Sequence, residues 1–425
     1  MFGKNRFLVL ILILSFFVSI FTTAQFQRVG TAPNEDSRSL VFVSVDANTV
    51  LALAGMKRYG VFVSSANPAI GTWTTWQPTG LDEFALFDSN TGEPAVVNTV
   101  NCFGTRVFAG TSSGKIFWSS DASTLYSNPW IESIGLPDNS VMDIAVASNG
   151  EVLAAVKGSG IYLSQDMGET FSLLADRSIN NNFMAIALHP DYSPSSRKFW
   201  TVTEERDTTS GGIYFYDGSQ FSDITPIGFY SFTSIITSPE TSGDPEAIWV
   251  GDTKGSGVLQ SFDLGQTWTS FSNLCDKVLT LTLAPNYSTS NKHIYIGTNV
   301  GLYEVISGSA FDIYPKGMAI NSLFPDLIFP DFMWFATSSG IRRALPGQSF
   351  PEPVQREAIS LFDISYLEFS SSFISDSTIF ALSQRNGLFI SKDGGNFFNF
   401  YMPPLERSFS SNLDFEISGF GLSPT

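Results

Sequence analysis

Cysteine and histidine are nearly missing from this chain of 425 residues, which contains two of each. Two cysteines cannot make a disulfide scaffold. Cys102 and Cys275 fall in different repeat units, placed far apart around a ring, whereas a bridge needs Cα atoms within about 7 Å. Both are expected to be separate, buried, inert thiols. His189 and His293 lie about 100 residues apart and neither has a Cys or His companion at metal-ligand spacing. A metal centre and a His-based catalytic triad therefore lack raw material, and no metal or other cofactor is expected.

Charge is also scarce, and one sign is scarcer than the other. Charged residues make up 15% of the chain, with 23 Lys and Arg against 40 Asp and Glu, a formal charge of -17. Binding phosphate backbones or anionic headgroups needs clustered Lys and Arg, so no nucleic-acid partner is expected. Long apolar runs are limited to one. Phe7 to Phe21 follows Lys4 and Arg6 and precedes Thr22-Thr23-Ala24, the order of a secretory leader with a small-residue cleavage site. Its 15 residues are too few to span a ~30 Å hydrocarbon core comfortably. The expectation is a signal peptide over residues 1–24, cut before Gln25, and a secreted or extracytoplasmic product with no membrane insertion apart from that leader. Losing Lys4 and Arg6 would take the formal charge from -17 to -19.

What remains is apolar, aromatic and rich in turn formers: 43% hydrophobic, with 39 Phe, 35 Gly and 21 Pro. Self-similarity organises it. A small-residue turn, a Gly and a short apolar strand recur at Gly60, Gly114, Gly160, Gly212, Gly257, Gly301, Gly340 and Gly387, spaced 39 to 54 residues apart. A Pro turn precedes that phrase in several units, as at His189-Pro190-Asp191-Tyr192 and Ala284-Pro285-Asn286-Tyr287. Each unit reads as four short strands. In residues 277–314 they are VLTLTLAP, HIYIGT, GLYEVI and AFDIY. No helix of ten residues is expected after the leader. Four antiparallel strands in ~40–50 residues make the blade of a β-propeller. The expectation is an all-β propeller over residues 25–425, with eight repeat units visible and partial units at both ends. Phe26 to Gly30 reads as the last strand of a blade. The segment Leu413 to Thr425 matches the start of a unit and stops in its Pro turn, so the propeller is expected to be incomplete at its C-terminus.

A third phrase carries a family resemblance. Ser164-Gln165-Asp166-Met167-Gly168-Glu169-Thr170-Phe171 and Ser261-Phe262-Asp263-Leu264-Gly265-Gln266-Thr267-Trp268 resemble the Asp-box, or BNR, hairpin S-x-D-x-G-x-T-W. Ser391, Asp393, Gly395 and Phe398 form a near match, and degenerate copies stand at Ser119-Ser120-Asp121 and Asp217-Gly218-Ser219-Gln220-Phe221. The resemblance covers residues 40 to 402. It implies a propeller in which the Asp accepts hydrogen bonds from its own turn, the Gly adopts positive φ and the aromatic packs beneath. These are structural roles: a catalytic acid is needed once, whereas a turn stabiliser is needed in every blade. Asp166, Asp263 and Asp393 are read accordingly.

Catalytic candidates are few. Gly110-Thr111-Ser112-Ser113-Gly114 matches a nucleophile-elbow pattern, but it lies in a hairpin turn of the repeat. Glu204, Glu205 and Arg206 lie in the longest polar insertion, and adjacent strand residues point to opposite faces, so the two glutamates are no ready acid/base pair. Trp73 and Trp76 lie in another expanded turn and are candidates for a sugar-stacking rim. The expanded segments Asn67 to Trp76 and Thr203 to Gly212 are thus the candidate ligand rim. Asn286-Tyr287-Ser288 is a glycosylation sequon, with Asn286 as the acceptor in a eukaryotic source.

Asp-boxes occur in sialidases, xyloglucan-type hydrolases, sortilin-type receptors and photosystem assembly factors, so the repeat does not choose among them. A sialidase would carry an Arg-Ile-Pro segment, from which Arg28-Val29-Gly30 departs. The expected function is non-catalytic binding of a protein, peptide or glycan, in the style of sortilin-type ectodomains and related exported Asp-box proteins. A glycoside hydrolase of the sialidase or xyloglucanase type is the alternative.

Overall fold

The computed structural model describes residues 36–344 with short interruptions, the strand Gln27–Arg28, and, further on, strands between Arg356 and Met402. The leader, the rest of the expected N-terminal strand, Cys275, Asn286, the turn holding Asp393 and Gly395, and residues 403–425 lie outside the described residues. The chain divides into two compact units, one of residues 35–349 and one of residues 1–34 with 350–425.

In the first unit the repeat becomes seven sheets: blade 1 (37–78), blade 2 (97–132), blade 3 (141–175), blade 4 (183–223), blade 5 (232–271), blade 6 (278–316) and blade 7 (320–344). Blade 3 shows the plan. Val141–Val146, Val152–Val156, Gly160–Ser164 and Ser172–Ala175 pair antiparallel in chain order. Every residue of Val152–Val156 is buried, since a middle strand is covered on both faces by neighbouring blades. The fourth strand, by contrast, alternates little and is partly exposed. Among the described residues the only helical element is the short 3-10 turn Ala122–Thr124, capped by the Asp121 carboxylate. No described helix is long and apolar enough to cross a membrane.

First strands of successive blades pack against each other all the way round, including blade 1 on blade 7, and so form the inner wall. A β-bulge at the second residue of the first strand recurs, as at Asn98, Thr233 and Asn321. From that bulge the Asn98 amide donates to the Val141 carbonyl at 3.0 Å, and the Thr233 hydroxyl to that of Val278 at 2.6 Å. Asn321 repeats this fastening on Ser37 at 2.8 Å, and also donates to the Asp36 carboxylate at 2.7 Å. It thereby joins blade 7 to blade 1. Phe42 packs on Phe324 and Trp334 across the same seam, with centroids 5.0 and 5.4 Å apart.

The ring therefore has seven blades, where eight copies of the repeat phrase led to eight visible units. The eighth copy, around Gly387, builds a separate sheet in the second unit, ordered Arg356–Glu357, Phe398–Met402, Gly387–Ser391, Ile379–Ser383, Ile364–Phe369. Copy number bounds how many blades can form. Which blade locks onto the first is decided by side chains as far as 285 positions apart, a distance no local phrase encodes.

Tight approach between blades also needs small residues. A Cβ on Gly110 would lie 2.7 Å from Val141 of the next blade, and one on Gly55 would meet Val97 at the same distance.

Candidate functional site

An antiparallel meander sends its turns alternately to the two ends of each sheet. Turns joining strands 1–2 and 3–4 form one face of the ring, here the lower face. Turns joining strands 2–3, with the inter-blade connections, form the upper face, where the inner strands begin.

The two Ser-x-Asp-x-Gly turns lie on the lower face and superimpose bond for bond. The Ser164 hydroxyl donates to Asp166 at 2.7 Å and accepts the Gly168 amide at 2.7 Å. Asp166 accepts the Thr170 amide at 2.9 Å and its hydroxyl at 2.6 Å. Ser261, Asp263, Gly265 and Thr267 repeat this network at 2.8, 2.8, 2.7 and 2.5 Å. The serine, not the aspartate, thus holds the glycine amide. Gly168 and Gly265 have φ of 88 and 93°, and the preceding Met167 and Leu264 also adopt positive φ. Phe171 is buried beneath its turn, while the Trp268 indole donates to Ile224 and Gly265 carbonyls. Slight burial would raise the Asp166 carboxyl, but hydrogen bonds from the Thr170 hydroxyl and amide, from Ser164 and from its own amide outweigh this and bring it down to about 2. Bonds from Thr267 hold Asp263 below the ordinary range likewise. Such carboxylates are committed to their turns and poorly suited to taking a proton.

Other lower-face candidates are also structural. His189 is buried, stacks on Trp200 at 5.0 Å and accepts the Asp191 amide. His293 bonds Glu304 at 3.2 Å. Glu151 fastens blade 3 to blade 4 through Arg197 at 2.7 Å and the Tyr192 hydroxyl at 3.0 Å. Burial and the Glu151 carboxylate push the Tyr192 phenol far up, so this tyrosine is no ready nucleophile. Cys102 is a free thiol pushed up by burial, donating to the Phe42 carbonyl.

The two expanded segments do not share a rim. Asn67 to Trp76 joins strands 3 and 4 of blade 1 and lies on the lower face, whereas Thr203 to Gly212 joins strands 2 and 3 of blade 4 and lies on the upper. The indoles expected as a stacking platform fill the closing seam instead. Trp76 is 2% exposed, and Trp73 packs edge-on against Phe42 and Trp334 at 5.7 and 4.8 Å. Their apolar area helps to secure the seam at which blade 1 meets blade 7.

On the upper face a backbone rule recurs in every blade. The residue after strand 2 donates its amide to the carbonyl before strand 1, at 2.8 to 3.1 Å, from Lys57, Ser112, Lys157, Glu204, Thr253, Asn299 and Ser338. The backbone at these seven positions is therefore held alike around the upper face, carrying Lys, Ser, Glu, Thr or Asn side chains.

Blade 4 elaborates this position into a built platform. Arg206 and Thr209 pair as a small hairpin. The buried Asn180 amide donates to the Glu204 and Ser210 carbonyls at 3.0 and 3.1 Å, and Ser231 accepts the Glu205 amide. Gly211 donates to the Tyr230 carbonyl, and a Cβ there would sit 2.2 Å from the Thr203 carbonyl. Lysines from three other blades converge on it. Glu204 pairs with Lys157 at 2.7 Å and Lys277 at 3.9 Å, and Glu205 pairs with Lys254. Arg206 points into solvent beside Asp207. The platform was legible only as a polar insertion. Asn180, Ser231 and the three lysines carry no local signature in the sequence.

Asp143 was missed as well. It stands at the third residue of a first strand, is half-buried, and accepts amides from Ile144 at 2.8 Å and from Ile186 of the next blade at 2.9 Å. Burial raises its carboxyl above the ordinary range. An open cleft of about 500 Å³ lies between the outer strands of blades 3 and 4, lined in part by Leu174, Arg177, Tyr216, Phe221 and Asp223. Arg177 covers the Tyr214 ring at 3.6 Å. Among the described residues no group of three or more His, Cys, Asp or Glu could hold a metal ion.

No family model matches this chain, and no curated protein matches it. Solved structures do, at the level of fold. The chain is similar to YCF48 bound to D1 peptide, at 12% identity and TM-score 0.52, covering 75% of this chain and 96% of that one. It is similar to the Niastella koreensis GH74 enzyme, at 13% identity and TM-score 0.54, covering 89% and 68%. The extracellular domain of a one-component-system protein from B. thetaiotaomicron matches at 16% and 0.54, covering 88% and 47%. All are propeller neighbours and establish the β-propeller architecture. A peptide-bound protein, an enzyme and an extracellular domain share this architecture, so the fold does not choose an activity.

Proposed function

We propose that this chain is an exported, non-catalytic ligand-binding propeller of the Asp-box kind, similar in style to sortilin-type ectodomains, and that it engages a protein, peptide or glycan on its upper face. The observation that carries this reading is the blade 4 platform: Glu204 and Glu205 are presented on backbone fixed by Asn180, Ser231 and Gly211. Fixed polar groups over a channel mouth lose little entropy on binding. The peptide-bound YCF48 neighbour is compatible with such a use of the fold.

The glycoside hydrolase alternative draws on the GH74 neighbour. It requires a pair of carboxyls flanking one sugar bond, one of them raised to hold a proton. Glu204 and Glu205 are adjacent residues each ion-paired with a lysine, and the Asp-box-like carboxylates are tied into their turns. Assay of the exported protein on glycan and peptide arrays, together with a chromogenic glycoside panel, tests the proposal. Saturable binding without turnover is expected. Hydrolysis abolished by one Asp or Glu substitution that leaves folding intact would overturn it. Mass spectrometry of the exported product should begin at Gln25.

A further inference from the structure

The two Ser-x-Asp-x-Gly turns also seal seams between blades. The blade 3 turn clasps the chain leaving blade 2: the Ser133 hydroxyl donates to the Gly168 carbonyl at 2.6 Å, the Ile134 amide to that of Glu169 at 3.0 Å, and the Phe171 amide to that of Ile134 at 2.8 Å. The blade 5 turn clasps blade 4, where the Trp268 indole donates to the Ile224 carbonyl at 2.9 Å. Both contacts are tight. A Cβ on Gly168 would lie 2.5 Å from Phe108 of blade 2, and one on Gly265 would lie 2.4 Å from Ile224. Blade 4 carries a shorter turn. Four residues, Asp217 to Gln220, separate the end of its third strand from the aromatic Phe221, where the other two turns have six before Phe171 and Trp268. Among the described residues its hydrogen bonds close within it, the Asp217 carboxylate accepting the Ser219 and Gln220 amides and the Asp217 amide donating to Gln220. A Cβ on Gly218 would have room, the nearest atom being the Arg197 amide of the same blade at 3.7 Å.

The open cleft of about 500 Å³ lies at this unclasped seam, between blade 3 and blade 4. Leu174 and Phe221, both half-buried, give it an apolar floor, and the exposed Gln220, Asp176 and Asp223 stand around it. We infer that the cleft is a docking site for the side chain of a tryptophan in a partner peptide, seated on Leu174 and Phe221 as Trp268 is seated against Ile224 at the next seam. The molecule itself supplies the argument for that occupant: where blade 5 meets blade 4, an indole from the chain covers the seam and gives its N–H to an acceptor on the preceding blade. The shorter blade 4 turn provides no such group for blade 3. A peptide indole suits the cleft because its ring covers the apolar floor while its N–H meets the side-chain oxygens of Gln220, Asp176 or Asp223. Arg177 does not make the cleft an anion site, since its guanidinium lies over the Tyr214 ring at 3.6 Å and two carboxylates share the lining with it. This site is separate from the upper face and does not rest on the binding reading above.

Fluorine NMR of N-acetyl-5-fluorotryptophanamide with the full chain tests this, the label keeping the protein's own tryptophans silent. Saturable broadening is expected, with a dissociation constant of about a millimolar, reversed by N-acetyltryptophanamide and not by N-acetylleucinamide. Gln220→Trp, at an exposed rim position, places an indole of the chain itself over the cleft and should abolish binding. Leu174→Ala removes part of the floor and should weaken binding roughly threefold to tenfold. Thermal melts establish that each variant folds; should Gln220→Trp fail to fold, Leu174→Ala decides alone. The inference is overturned by the absence of a saturable signal, by equal displacement with the leucine analogue, or by unchanged binding in either folded variant. Any of those results would leave the upper-face reading standing, because neither variant touches that face.

Discussion

The two faces of this ring are made from the same strands yet use their polar residues in opposite ways. On the lower face the polar groups that recur close on themselves: Ser164 and Asp166 satisfy their own turn, and Ser261 and Asp263 do the same about a hundred residues on. On the upper face the repeated element is backbone, the amide after strand 2 donating to the carbonyl before strand 1. Side chains there are left to make contacts across blades, as Lys157, Lys254 and Lys277 do with blade 4. Repetition thus marks where the scaffold stabilises itself. Variation on a fixed backbone marks where it has freedom to bind.

That contrast can be broken most severely at what both faces share. Trp334→Ala, at a fully buried indole touching Phe42, Trp73 and Trp76 across the closing seam, should cost about 3–5 kcal/mol in denaturant unfolding and disable both faces together. Asn180→Ala acts on the upper face alone. It removes the donor to Glu204 and Ser210, and should cost about 1–3 kcal/mol while altering ligand affinity. Ser164→Ala is its lower-face counterpart, leaving the buried Gly168 amide without its acceptor. A loss of about 1–2 kcal/mol with unchanged affinity is expected; altered affinity would erase the distinction between the faces.

Smaller effects should appear in the pH dependence. The Asp166 carboxyl is lowered to about 2 in the folded chain, against about 3.9 unfolded. Its contribution is therefore fully present above pH ~4 and lost as pH falls toward 2. The stability difference between wild type and Asp166→Asn should shrink over that interval. Asp143 has the reverse sign, because burial raises its carboxyl. The folded chain holds that proton more firmly, so the benefit is full below pH ~4 and lost as pH rises through the raised value. Asp143→Asn should flatten that decline, which urea unfolding at several pH values would detect.

Local sequence determined a great deal of this protein. Alternating apolar runs between Gly and Pro turns specify short strands, and their recurrence from Gly60 onward specifies blades, because strand formation and turn chemistry depend on neighbours a few residues away. The Ser164 and Ser261 turns were legible for the same reason: every partner lies within four residues. Tertiary structure decided the rest. Seven blades close the ring because Asn321 meets Asp36 and Ser37 and Phe42 meets Trp334, and the sequence pattern of a blade is the same whichever neighbour it receives. Trp73 and Trp76 looked like an exposed platform until that seam enclosed them. Glu204 and Glu205 were legible only as part of a polar insertion until lysines from three blades and the buried Asn180 were brought to them. Such contacts are long-range packing and electrostatics, set by which surfaces the closed ring makes adjacent.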